Sequence, residues 1–105
     1  MTTEADLMRR YQINAAAQGI ILYRNNVGLY YTRNGTPVRC GLCVGSSDLI
    51  GYTPTLITPE HVGDTYAVFT AVEIKTGRGR ASREQTAFIR SVLDAGGFAR
   101  LERLG

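Results

Sequence analysis

The sequence predicts one mixed α/β domain over residues 1–105, and three observations carry that expectation. An amphipathic helical pattern opens the chain, an Asn34-Gly35 pair sits between two β-type runs, and a β-branched and aromatic run from Tyr66 to Lys75 leads into a second, well-capped helix. A chain of 105 residues, 44% hydrophobic and 20% charged with three prolines, has material for one core and one site.

Thr3 reads as the N-cap of the first helix, Leu7, Met8, Tyr11 and Ala15 recur at helical spacing, and Gly19 supplies the stop. Glu4 precedes Leu7 by three residues, so a carboxylate begins the stripe expected to be buried; a first-turn glutamate favoured by the helix dipole is the alternative. Ile20-Ile21-Leu22-Tyr23 is a short β-type run, and Arg24-Asn25-Asn26-Val27-Gly28 is its turn. Leu29 to Arg33 and Thr36 to Cys40 flank Asn34-Gly35 and read as a β-ribbon. Gly45-Ser46-Ser47 then leads through Asp48 into the apolar strand Leu49-Ile50-Gly51. Residues 53–64, with Pro54, Pro59 and Gly63, read as a turn or exposed loop in which Leu56 and Ile57 are candidates to lengthen a strand.

Tyr66 to Lys75 is the best candidate for a central strand, since it is free of glycine and proline. Period-2 geometry puts Ala71, Glu73 and Lys75 on one face and Val72 and Ile74 on the other. After a loop holding Arg78 and Arg80, Ser82 caps the second helix, and Gln85 stands three positions on, at capping-box spacing. Phe88, Ile89, Val92 and Leu93 form its apolar stripe, which Gln85 also begins, so Gln85 reads equally as a cap partner and as a group aimed inward. Gly96-Gly97 ends the helix, Phe98 to Leu101 is a candidate last strand, and Glu102 to Gly105 reads as a polar tail.

Composition removes several classes. No apolar run approaches the roughly 20 residues a membrane helix needs, and Met1-Thr2-Thr3-Glu4 lacks the basic and apolar regions of a signal peptide, so the expected location is cytoplasmic. Cys40 and Cys43 have C-x-x-C spacing, but a zinc site needs two further ligands and His61 is the only histidine; two small core residues beside a strand is the reading adopted. The formal charge of +3 permits a polyanionic partner. Eleven of the twelve basic residues are arginine, the side chain that forks onto phosphate oxygens, although a GC-rich genome produces the same bias.

Glu4, Asp48 and the pair Glu73 and Lys75 thus come from three separate elements, each expected to aim a charged group inward. Buried charges are costly unless paired or bound to a metal, and a hard divalent cation explains such clustering, since Mg²⁺ takes one or two carboxylates with waters and phosphate oxygens. Lys75 would then polarise a phosphate or help deprotonate the attacking water. An isolated E-x-K is far more often an ordinary surface pair; the context of a strand, an upstream aspartate after a Gly-Ser loop, and a basic loop opening a glutamine-bearing helix is what sets this one apart.

Asp48 followed by Glu73-Ile74-Lys75 resembles the D…(D/E)-x-K signature of the PD-(D/E)XK nuclease superfamily. The longer strings Arg24-Asn25-Asn26-Val27-Gly28, Val38-Arg39-Cys40-Gly41-Leu42, Gly45-Ser46-Ser47-Asp48-Leu49-Ile50-Gly51, Val72-Glu73-Ile74-Lys75-Thr76 and Gly79-Arg80-Ala81-Ser82 with Gln85 are more specific. With Phe88-Ile89 and Gly96-Gly97 they are similar, in that order, to the VRR-NUC (virus-type replication-repair nuclease) domain over nearly the whole chain. The resemblance implies a restriction-endonuclease-like α/β fold, a mixed central sheet flanked by helices with a β-hairpin.

It further implies Asp48 and Glu73 as metal-binding carboxylates, the Ile74 main-chain carbonyl as a further ligand, Lys75 as the catalytic lysine, Gln85 as the glutamine that orders the site, and Glu4 as the first-helix glutamate, itself a candidate ligand. The superfamily's proline before the aspartate is Ser47 here, as in this family's own Gly-Ser-Ser-Asp string. The implied activity is Mg²⁺-dependent cleavage of DNA, with Mn²⁺ able to substitute, on four-way junctions cut by a homodimer. Flap cleavage, nicking, non-specific cleavage and a non-catalytic DNA-binding module are the alternatives. Arg24, Asn25, Asn26, Ser46, Ser47, Arg78, Arg80 and Arg83 are the candidate DNA contacts. Two symmetric cuts call for two symmetric sites, and the ribbon bearing Leu29, Tyr31 and Val38 is the candidate dimer surface unless it folds onto its own core.

Overall fold

The computed structural model describes residues 2–105, and the chain divides into two compact units, one ending at Thr53 and the other spanning Pro54–Gly105. It is a mixed α/β structure with two α-helices and, among the described residues, three two-stranded sheets. No helix of the described residues is long and apolar enough to cross a membrane.

The first unit opens with α1 (Glu4–Ala17), started by a capping box in which the Asp6 N–H donates to Thr3 Oγ1 at 3.1 Å and the Thr3 N–H donates to Asp6 Oδ2 at 3.2 Å. β1 (Ile21–Arg24) pairs antiparallel with β4 (Leu49–Tyr52), Ile21 opposite Tyr52 and Arg24 opposite Leu49. Between them β2 (Gly28–Tyr31) and β3 (Pro37–Cys40) form the expected antiparallel ribbon, Gly28 opposite Cys40. Its tip spans Thr32 to Thr36: the Gly35 N–H donates to the Thr32 carbonyl at 2.9 Å, and Gly35 takes a φ of 82°. Asn34 keeps a negative φ, so Gly35 alone supplies the left-handed residue, as in a three-residue loop rather than a two-residue Asn-Gly turn.

α1 does not bury the whole stripe that its spacing predicts. Ala15 is buried and Met8 half-buried, whereas Leu7 and Tyr11 are exposed. Length explains this: a helix of 14 residues is about 21 Å long, while a four-residue strand spans only about 13 Å. The Gln12 side chain ties the two, its Nε2 donating to the Leu22 carbonyl at 3.0 Å. Leu29, Tyr31 and Val38 of the ribbon are exposed, so the ribbon is not folded onto a core of its own. Cys40 and Cys43 are free and exposed, against the expectation that both are core residues: every residue of β3 is exposed, and Cys43 sits in the exposed turn that follows it.

In the second unit a 3-10 helix (Pro59–His61) interrupts the loop, and Leu56 and Ile57 belong to no strand. The Thr58 N–H donates to His61 Nδ1 at 3.0 Å, and the His61 ring meets Tyr66 edge-on. β5 (Thr70–Thr76) and β6 (Phe98–Leu104) pair in parallel, Thr70 with Phe98 and Thr76 with Leu104, and α2 (Arg83–Asp94) is the crossover between them. Two expectations change. The strand begins at Thr70 rather than Tyr66, since Phe98, its partner, is where β6 starts; and the supposed polar tail is strand as far as Leu104, since β5 offers a partner that far. Val92 is the centre of this unit at 1% exposure, Ile89 is half-buried beside it, and Phe88 meets Phe69 with ring centroids 6.4 Å apart.

Candidate functional site

Alternation along β5 turns Ala71, Glu73 and Lys75 to its half-buried side and leaves Val72 and Ile74 exposed, as the period-2 reading expects. α2 brings Gln85 onto that side from its first turn. The Ser82 hydroxyl accepts the Gln85 N–H at 3.0 Å, and Gln85 Oε1 accepts the Ser82 N–H at 2.8 Å, which closes the capping box. The same amide then donates from Nε2 to Glu73 Oε2 at 3.0 Å. Both readings of Gln85 therefore hold at once.

Lys75 Nζ lies 3.5 Å from the same Glu73 oxygen, and the two side chains are 21% and 29% exposed. Glu73 is thus held through Oε2; among the described residues Oε1 accepts no hydrogen bond. The cleft beside it, about 330 Å³, is lined by Ala71, Glu73, Glu84, Gln85 and Phe88. At Gly79, in the loop that follows β5, a Cβ would stand 3.2 Å from the Thr76 carbonyl, a tight approach to the main chain.

Arg78, Arg80 and Arg83 gather in the loop and first residue that lead into α2; all three are exposed and none forms an ion pair among the described residues. The loop is braced by Arg103, whose Nη1 donates to the Gly77 carbonyl at 2.7 Å. Arg103 falls outside the sequence-based expectation because residues 102–105 read as a polar tail, whereas β6 runs to Leu104.

In the first unit Asp48 stands immediately before β4, exposed and, among the described residues, with a carboxylate that accepts no hydrogen bond, and Glu4 is exposed as the first residue of α1. Within that unit both acids are exposed rather than buried, against the expectation. Arg24 and Asn26 hold each other, Nη2 donating to Oδ1 at 3.2 Å. Asn25 turns the other way. Its Oδ1 accepts the Leu42 N–H at 2.8 Å, and its Nδ2 donates to Ser46 Oγ at 2.7 Å and to the Ser47 carbonyl at 2.8 Å. Residues 7–47 contain five arginines and no acid, a run that the overall charge conceals.

Carboxylate oxygens are the donor type a hard cation takes; among the described residues neither the Asp48 carboxylate in the first unit nor Glu73 Oε1 in the second accepts a hydrogen bond, so each by itself fits Mg²⁺ or Mn²⁺ as a ligand type. Among the described residues, no three His, Cys, Asp or Glu side chains stand together as a metal-binding group. Comparison with family models, curated proteins and solved structures found no match to this chain.

Proposed function

We propose that this protein is a divalent-cation-dependent endonuclease that hydrolyses DNA phosphodiesters, acting on branched DNA as a homodimer. The observation that carries the reading is Glu73 and Lys75 alternating on one face of a strand, with Gln85 of the following helix bonded to the glutamate. An ordinary surface pair has no reason to recruit a third residue from the start of a helix. The antiparallel pair β1–β4 and the parallel pair β5–β6, each described within its own unit, supply strands of both senses, which is the mixture the proposed fold needs.

In this reading Asp48 and Glu73 are the carboxylate ligands, with the Ile74 carbonyl and Glu4 as further candidates. When bound, the cation supplies Lewis-acid stabilisation of phosphate charge and an acidified water. Gln85 keeps Glu73 in one orientation, so that Oε1 is presented rather than wandering. Lys75 supplies a proton donor and a positive charge to the phosphate under attack. Arg78, Arg80 and Arg83 neutralise flanking phosphates, with Arg24 and the N–H groups that begin α2 assisting. The exposed ribbon, with Leu29 and Tyr31, is the proposed contact between copies.

The test is cleavage of a four-way junction, a flap and a linear duplex of equal length with Mg²⁺, Mn²⁺ or EDTA. Metal-dependent cutting with the junction preferred is the expected result. Equal cutting of all three moves the reading to a non-specific nuclease, and binding without cutting in either metal moves it to a non-catalytic DNA-binding module.

A further inference from the structure

Asp48 ends a loop, residues 41–48, that has no helix or strand of its own. What gives the loop its shape is a neighbour from another part of the chain. β1 and β4 pair as far as Arg24 and Leu49, and the next rung is the Asn25 N–H donating to the Asp48 carbonyl at 2.8 Å. The Asn25 side chain then reaches Leu42, Ser46 and Ser47. Inside the loop, Ser46 Oγ donates to the Cys43 carbonyl at 2.7 Å and the Ser46 N–H donates to that same carbonyl at 3.0 Å. One asparagine thus grips four points of the segment that delivers Asp48.

The partners fix the amide's orientation. Leu42 presents an N–H, so the carbonyl oxygen of Asn25 must face it; Ser47 presents a carbonyl, so the NH₂ must face there. Both ends of the amide are committed, and little of it is left to read a phosphate or a base edge.

We infer that Asn25 is the positioning residue of Asp48: it holds the loop that carries this carboxylate and acts on the bound cation through Asp48, without touching DNA. The inference rests on the reading of Asp48 as a cation ligand and replaces the sequence-based expectation of Asn25 as a DNA contact. The neighbouring Arg24 and Asn26, bonded to each other across the same turn, remain on the DNA-contact side of the division.

Asn25→Ala is the decisive variant, read in three ways on the full chain. Amide hydrogen exchange at Leu42 and Ser46 should accelerate strongly. Mn²⁺ affinity by calorimetry, without DNA, should fall about tenfold, the lower end of what loss of a residue supporting a metal ligand does. Junction binding in EDTA should change less than about threefold, since no charge is removed. Ser46→Ala, which removes one of the three side-chain partners, should produce a smaller Mn²⁺ loss in the same direction and serves if Asn25→Ala does not fold.

Unchanged Mn²⁺ affinity in Asn25→Ala beside a wild type that binds Mn²⁺ overturns the inference alone. A large loss of junction binding in EDTA with Mn²⁺ affinity intact also overturns it and restores Asn25 as a DNA contact. A wild type that binds no Mn²⁺ overturns the nuclease reading and this inference with it, and it is recognised on the wild type alone.

Discussion

α1 and α2 both begin on a hydroxyl N-cap closed by a side chain three residues on, Thr3 with Asp6 and Ser82 with Gln85. In α1 the closing side chain is a carboxylate, and among the described residues its hydrogen bonds end at the cap. In α2 it is an amide, which accepts the cap N–H on one atom and still donates from another to Glu73. The difference lies in hydrogen-bond inventory: an ionised carboxylate only accepts, whereas an amide accepts and donates. Closing a helix with glutamine lets one residue serve the helix and a neighbouring strand together.

The second contrast is between the acids. Glu73 is held directly, by Gln85 and Lys75 on its own oxygen, while Asp48 is held, among the described residues, through its main chain and the loop before it. If both are ligands of one cation, the contrast in support should not rescue either from substitution. Asp48→Asn and Glu73→Gln should each abolish measurable Mn²⁺ binding in calorimetry, the largest effect expected. If one of them binds as the wild type does, the two acids do not share a role.

Next in size, Lys75→Ala should lower cleavage by about 10²–10³-fold, the usual loss when one preorganised donor to a developing charge is removed. Junction affinity should stay within a few-fold, since eleven arginines remain to neutralise phosphate. Near-normal turnover in single-turnover kinetics would reduce Lys75 to a salt-bridge partner of Glu73.

The smallest effects test the two helix starts themselves. Gln85→Ala should destabilise the protein by about 2 kcal/mol, combining a lost cap contact with a lost hydrogen bond to a carboxylate, and should also weaken Mn²⁺ binding. Asp6→Ala should cost only about 0.5–1 kcal/mol in urea unfolding and leave Mn²⁺ binding untouched. Equal effects of the two on Mn²⁺ would erase the distinction drawn between them.

What could be read in the sequence was local. Both caps, the ribbon around Gly35 and the alternation of Glu73 with Lys75 depend on residues within a few positions of each other, and each is found where its spacing predicts. What could not be read depends on distant partners. Asn25 looks like a turn residue until Leu42, Ser46 and Ser47 close on it from 17 to 22 positions away. Tyr66 to Phe69 has strand composition but no strand, because pairing starts where β6 supplies a partner. The stripe of α1 predicts burial for Leu7 and Tyr11, yet spacing does not say how much sheet there is to cover them.

The parallel pairing of β5 with β6 also orders events during folding. The ribbon closes over a five-residue tip, the kind of closure that takes microseconds, whereas Thr70 finds Phe98 only after the 27 residues between them have been drawn in. α2 shortens that search, since twelve of those residues become a rod of about 18 Å once the helix is nucleated. The bonds between Ser82 and Gln85 that start the rod therefore bear on how quickly the strand carrying Glu73 acquires its neighbour. Until β6 reaches it, the acid-bearing strand lacks the one strand partner it has among the described residues, and an unpaired strand is a template for pairing with the wrong chain.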